Sequence, residues 1–125
     1  MIAAPPPPKP AAIVRAWSKA LNANDNVAAG KLFAANAQVI QAPVTVRLTS
    51  PGLATAFNAS LPCAGTIVDI VVRGNRATAT FVLGHRPGHT CTAAKGEKAA
   101  ALFVVRNGKI VLWEQVPVPA SAPPA

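Results

Sequence analysis

The sequence predicts an α+β fold, with helices gathered in the first half of the chain and antiparallel strands in the second. Three observations predict it. Apolar residues recur at helical spacing after residue 10 and again after residue 50. From residue 66 the pattern changes to the two-residue alternation of strands. Asn107-Gly108, between two apolar runs, marks a tight two-residue hairpin and makes residues 99–116 the closing pair of a sheet. The order is helix, helix, strand, helix, then four antiparallel strands, and such segregation means α+β.

Taken in order, residues 1–10 hold a run of prolines and read as a semi-rigid polyproline-II arm. Ile13, Val14, Trp17 and Leu21 form one apolar stripe on the first helix. Residues 22–26 stop that helix, and Asn24 or Asp25 is placed to cap the next. The second helix runs to about Asn36 and buries Val27, Ala28, Leu32, Phe33 and Ala35. Residues 39–49 read as one strand, with Pro43 marking an edge or a bulge. Ser50-Pro51 is a helix start, with a Ser cap and Pro in the first turn. Leu53, Phe57 and Leu61 supply the third helix's apolar face. Strands follow over residues 66–73 and 76–84, joined by a turn at Gly74-Asn75. A Gly- and Pro-containing loop over 85–96 leads into the closing hairpin.

The body between residues 11 and 116 is one domain, flanked by the arm and a Pro/Ala-rich tail at 117–125. No apolar run approaches the ~20 residues of a membrane-spanning helix. Net charge is +8, from 12 Lys and Arg against 4 Asp and Glu. The cations are scattered at turns and element ends, with no basic run interleaved with aromatics. That pattern argues against nucleic-acid binding while leaving attraction to acidic polymers or anionic lipid. Cys63 and Cys91 both fall at strand ends beside loops, and a disulfide is the favoured reading over two buried thiols. A disulfide implies an oxidising compartment, secreted or in the cell envelope, whereas free thiols would imply the cytoplasm. Residues 1–4 lack the basic and apolar regions of a secretory signal. The expectation is that an export signal or anchor has been trimmed and Met1 added.

Three stretches carry a family resemblance. They are Trp17 with Asn22-Ala23-Asn24-Asp25, then Ala35-Asn36-Ala37-Gln38-Val39, and Gly108-Lys109-Ile110-Val111. Together with the element order they resemble the SnoaL-like branch of the nuclear transport factor 2-like superfamily, over about residues 11–116. The resemblance implies a cone in which a curved, mostly antiparallel sheet wraps around three helices and encloses an apolar pocket. Members include ketosteroid isomerases, polyketide cyclases, limonene epoxide hydrolases and non-catalytic binding domains.

The catalytic patterns of those members are not reproduced in this chain. Ketosteroid-isomerase chemistry needs a carboxylate base and a Tyr/Asp oxyanion site. The chain has no tyrosine, Ala42 stands where the base is expected, and the second acid's place falls near Ala100. The epoxide-hydrolase arrangement of two carboxylates bridged by arginine would need Asp69 and Glu114 together. The resemblance places Trp113 and Gln115 inward on the last strand and Glu114 outward. Asp69 reads as an outward strand carboxylate before it reads as a pocket base. His85 and His89 are loop residues with no carboxylate nearby in sequence. A zinc site with Cys63 and Cys91 can be drawn from them, but its spacing is weak, and no metal or other cofactor is assigned.

The expected pocket lining is Trp17, Phe33, Gln41, Phe57, Phe81, Leu83, Leu102, Val104, Trp113 and Gln115, with the two glutamines as polar handles. On the closing hairpin this makes one wall of Ala100, Leu102, Val104, Val111, Trp113 and Gln115, which contains no acid. The sequence therefore favours a non-catalytic domain that binds a small apolar ligand or serves as an interaction module. The alternatives are an isomerase, cyclase, lyase or hydrolase working through Asp69, His85 or His89, and a homodimer formed through the outer sheet face.

Overall fold

Pro10 opens α1 (Pro10–Asn22), where its fixed φ suits the first turn and its missing N–H costs no helical bond. One side of α1 buries Ile13, Val14, Trp17, Ser18 and Leu21. Asn24 takes φ +60° and closes the helix in the left-handed region. The Asp25 carboxylate accepts from the Ala28 N–H at 3.0 Å and caps α2 (Asn26–Lys31). The structure, a computed structural model, describes residues 8–91 and 95–120. The outer parts of the proposed arm and tail lie outside the described residues.

α2 ends five residues earlier than its apolar spacing predicts. Phe33 and Ala35 belong instead to β1 (Phe33–Gln41). The Ile110 N–H donates to the Leu32 carbonyl at 2.8 Å, so pairing with the last strand begins where the helix would have continued. Val27, expected inside, is 54% exposed. The buried residues of α2 are Ala29 and Gly30. A Cβ on Gly30 would lie 3.1 Å from the Thr55 amide nitrogen, so glycine lets α2 approach the third helix this closely.

The single strand expected over 39–49 is a hairpin of β1 and β2 (Val44–Leu48). Pro43 lies in its turn, after a cis peptide bond. The Ser50 Oγ accepts from the Leu53 N–H at 3.2 Å and caps α3 (Pro51–Ser60). Leu53 is 44% exposed, not buried, and the inner residues of α3 are Ala54 and Asn58. Four strands follow: β3 (Ala64–Arg73), β4 (Arg76–Gly84), β5 (Lys98–Arg106) and β6 (Lys109–Val116). The sheet therefore has six strands rather than five, in the order β2-β1-β6-β5-β4-β3. All neighbours are antiparallel except β1 and β6.

Helices and sheet meet around Trp17. Its ring lies 5.3 Å from Phe103, 6.0 Å from Phe81 and 6.0 Å from Trp113, between centroids. Phe57 continues the cluster at 5.1 Å from Trp113 and 5.9 Å from Phe33. Such edge and tilted contacts add about 0.5–1.5 kcal/mol each beyond area burial. The Trp17 indole N–H donates to the Asn58 side-chain oxygen at 2.8 Å, and the Asn58 amide donates to the Ala54 carbonyl. A fully buried amide is thereby satisfied while tying α1 to α3.

The closing hairpin corrects one expectation about facing. Arg106 pairs with Lys109 and Val105 with Ile110, as a two-residue turn requires. Asn107 and Gly108 supply the positive φ values, 51° and 73°. Then Val104 pairs with Leu112, so Val111 is an extra residue in β6. The bulge shifts the register by one, and a one-residue shift exchanges the two faces. Phe103 now opposes Trp113 and Ala101 opposes Gln115 on the helix side. Leu102 opposes Glu114 and Val104 opposes Leu112 on the outer side, so Leu102 and Val104 leave the pocket wall. A second bulge, at Val68, sets Asp69 opposite Thr80 and Ile67 opposite Phe81.

Candidate functional site

A cavity of about 150 Å³ opens between α1 and the inner face of the sheet. α1 contributes Trp17, Ser18, Leu21 and Asn22. The segment after α3 contributes Leu61, Pro62 and Cys63. The sheet supplies Gln41, Gly65, Phe81, Leu83, Ala99, Ala100, Ala101, Trp113 and Gln115. The lining is mostly apolar, and none of these residues is Asp, Glu, His, Lys or Arg. Its polar side chains are the amides of Asn22, Gln41 and Gln115 and the Ser18 hydroxyl. The Trp113 Nε1 is buried without a protein partner, although buried indole N–H groups usually find one.

Of the residues expected to line a pocket, the structure brings Trp17, Gln41, Phe81, Leu83, Trp113 and Gln115 around this cavity. Phe57 and Phe33 are not in its wall. Phe57 stacks behind Trp113, and Phe33 faces a second cavity between α2, α3 and β1. Asp69 lies on the outer face of the sheet, across from Thr80 and, beyond it, Ala100. Glu114 shares that outer face with Leu102. His85 is exposed, and neither histidine touches the cavity. His89 is only half-buried, with Nε2 2.8 Å from the Ala59 carbonyl and Nδ1 3.0 Å from the Pro87 carbonyl.

Cys63 and Cys91 form a disulfide, with Cα atoms 5.0 Å apart. The bond removes both thiolates from the drawn zinc site. No group of three or more His, Cys, Asp or Glu side chains suited to a metal ion occurs among the described residues. The disulfide ties the 85–91 segment of the β4–β5 loop to the chain just after α3. Arg86 reinforces the tie. Its side chain is fully buried, and Nη1 donates to the carbonyls of Asn58 at 2.7 Å and Leu61 at 2.5 Å. Nη2 donates to the Asn26 side-chain oxygen. The guanidinium thus binds carbonyls at the end of α3, where the helix dipole favours a positive charge; one of them, that of Asn58, also accepts from the Leu61 N–H at 3.4 Å. Burial lowers the Arg86 pKa from its ordinary value, because the charged form loses hydration. On the other side of the mouth, Asn22 and Gly65 exchange two bonds, 2.7 and 3.0 Å long, that hold the end of α1 to β3.

Arg86 and Asn58 were not singled out in the sequence. Arg86 stands in a loop beside Pro87 and Gly88, where an arginine carries no sign of burial. Asn58 offered one readable signal: a polar residue one turn from Ala54 on a short helix that must face Trp17.

Comparison with known proteins bears on this geometry. The family profile for a SnoaL-like domain matches residues 14–113. The chain belongs to the SnoaL-like domain family. Solved structures similar to this SnoaL-like chain share its fold. A polyketide cyclase candidate from Sinorhizobium meliloti is 20% identical, with TM-score 0.64, over 84% of this chain and 94% of that one. A protein with a ketosteroid isomerase-like fold from Catenulispora acidiphila, solved with trimethylamine, is 22% identical with TM-score 0.68, over 88% of each chain. An uncharacterized cystatin-fold protein from Novosphingobium aromaticivorans is 13% identical with TM-score 0.69, over 88% and 99%. Comparison with curated proteins gives no match.

Proposed function

We propose that this SnoaL-like domain binds a small, neutral, largely apolar molecule in the cavity beside Trp17 and Trp113, without transforming it. The observation that carries this reading is the lining: apolar, with amide and hydroxyl groups, and with no side chain that titrates near neutral pH. General acid–base catalysis needs such a group within hydrogen-bond reach of the reacting atoms. Asp69, His85 and His89, through which an isomerase or hydrolase reading would have worked, all stand away from the cavity. A cavity near 150 Å³ matches one aromatic ring. The amides of Gln41 and Gln115 in the lining favour a ligand with a hydrogen-bond acceptor.

Acetophenone and ethylbenzene test this, being similar in shape and differing in the carbonyl. Titration is followed by tryptophan fluorescence. The expected result is saturable quenching by both, with acetophenone the tighter, and loss of binding in Ala99→Leu at an unchanged melting temperature. Equal, unsaturable quenching of the parent and Ala99→Leu proteins by both compounds would sink the proposal.

A second reading concerns the outer face of the sheet. It presents Val71, Thr78, Val82, Leu102, Leu112 and Val116 on adjacent strands. This run supports a homodimer through that face, which sedimentation at rising concentration tests. The disulfide supports an oxidising location, in a secreted or envelope-associated protein. Among the described residues, no helix is long and apolar enough to cross a membrane.

A further inference from the structure

Five cations that are scattered in sequence meet at one end of the fold. Arg73 and Arg76 flank the β3–β4 turn. Arg106 and Lys109 flank the β5–β6 turn. The two turns are neighbours: Arg76 pairs with Val104, and the Val105 N–H donates to the Asn75 carbonyl at 2.9 Å. Lys31 joins them, because the Lys109 ammonium donates to the Lys31 carbonyl at 2.6 Å. All five side chains are exposed. None of the chain's four acids is at these turns. Asp25 caps the far end of α2, Glu97 lies by the opposite end of β4, and Asp69 and Glu114 stand within strands.

Apolar surface accompanies the charge. Val72, beside Arg73, is 46% exposed. A cleft of about 240 Å³ opens next to Lys31, lined by Val27, Phe33, Leu48 and Pro51 among others. Cations on projecting turns beside exposed apolar side chains are the two-part mark of an interfacial contact, in which charge meets headgroups and apolar groups enter the boundary. The same end lacks what single-stranded nucleic acid needs. Stacking platforms must be exposed, and here both tryptophans are buried, as are Phe33, Phe81 and Phe103, with Phe57 half-buried.

We propose that this end of the domain docks on an anionic lipid surface, with Arg73, Arg76, Arg106, Lys109 and Lys31 facing the headgroups. The cavity beside Trp17 then points away from the bilayer, since its mouth residues Gln41, Leu83 and Gln115 lie toward the opposite ends of their strands. The inference is independent of what the cavity binds.

Cosedimentation with vesicles tests it, using phosphatidylcholine alone or with 30 mol% phosphatidylglycerol. One variant carries Arg73→Gln, Arg76→Gln, Arg106→Gln and Lys109→Gln. A control carries Arg15→Gln, Lys19→Gln, Arg47→Gln and Lys95→Gln, with the same loss of charge. A near-surface cation is worth about fivefold in partitioning. The expected result is salt-sensitive binding to the anionic vesicles alone, reduced at least tenfold in the turn variant and less than threefold in the control. Should the fourfold variant melt early, Arg106→Gln alone keeps the test, with an expected reduction of about fivefold. Equal losses in variant and control would overturn the proposal, as would equal binding to neutral vesicles. Tighter binding to polyglutamate or to an oligonucleotide than to the vesicles would overturn it too.

Discussion

The two ends of this sheet use positive charge in opposite ways. At the cavity end, Arg86 is fully buried and its two Nη atoms donate to the Asn58 and Leu61 carbonyls and to Asn26. At the turn end, Arg73, Arg76 and Arg106 are exposed on two hairpins, and Lys109, exposed beside them, keeps one bond to the Lys31 carbonyl. A buried guanidinium loses hydration and must recover it from fixed acceptors, so its position is dictated. An exposed cation loses nothing, so its position is free to serve a partner. The lesson is that a formal charge of +8 describes neither end.

The comparison breaks most sharply at Arg86. Arg86→Met removes three bonds from a charged group, to the Asn58 and Leu61 carbonyls and the Asn26 side chain, with an expected loss of about 3–5 kcal/mol. Urea unfolding measures it, and a loss below about 1 kcal/mol would mean that the cap is ornamental. Next comes Cys63→Ser with Cys91→Ser. Releasing a loop of 28 residues costs about 3.6 kcal/mol in the chain-entropy model. Reductant should reproduce the effect in the parent protein and change nothing in the double variant. Asn107→Ala should cost about 1 kcal/mol, because φ +51° strains a side chain that asparagine tolerates. Arg106→Gln sharpens the contrast from the other side: its expected effect on stability is within ±0.5 kcal/mol. Asp69→Asn, on the outer face, should leave acetophenone affinity unchanged within twofold, and a larger change would place Asp69 in communication with the cavity.

Much of the fold was legible because local signals agreed with tertiary structure. Ser50-Pro51 started a helix, Asp25 capped one, Asn107-Gly108 made a hairpin, and Cys63 and Cys91 met. The failures share one cause: a long-range partner overrode a local pattern. Phe33 looked helical until Ile110 paired with it. Leu102 and Val104 read as inward by alternation from the turn, and one extra residue, Val111, reversed them. Bulges carry no residue signature strong enough to count from sequence. The apolar character of the site was readable from Trp17, Phe81 and Trp113, whereas Arg86 was not, because its acceptors lie 25, 28 and 60 residues away along the chain.

One pairing has a kinetic meaning as well. β1 joins the rest of the sheet only through β6, in parallel, and β2 hangs from β1. Residues 33–48 therefore have no sheet to join until residues 110–114 exist. Contacts of such sequence separation slow folding, since the intervening loop must close first. A chain growing from a ribosome could form the β1–β2 hairpin and the β3–β4–β5 meander early, but the seam that joins them waits for β6.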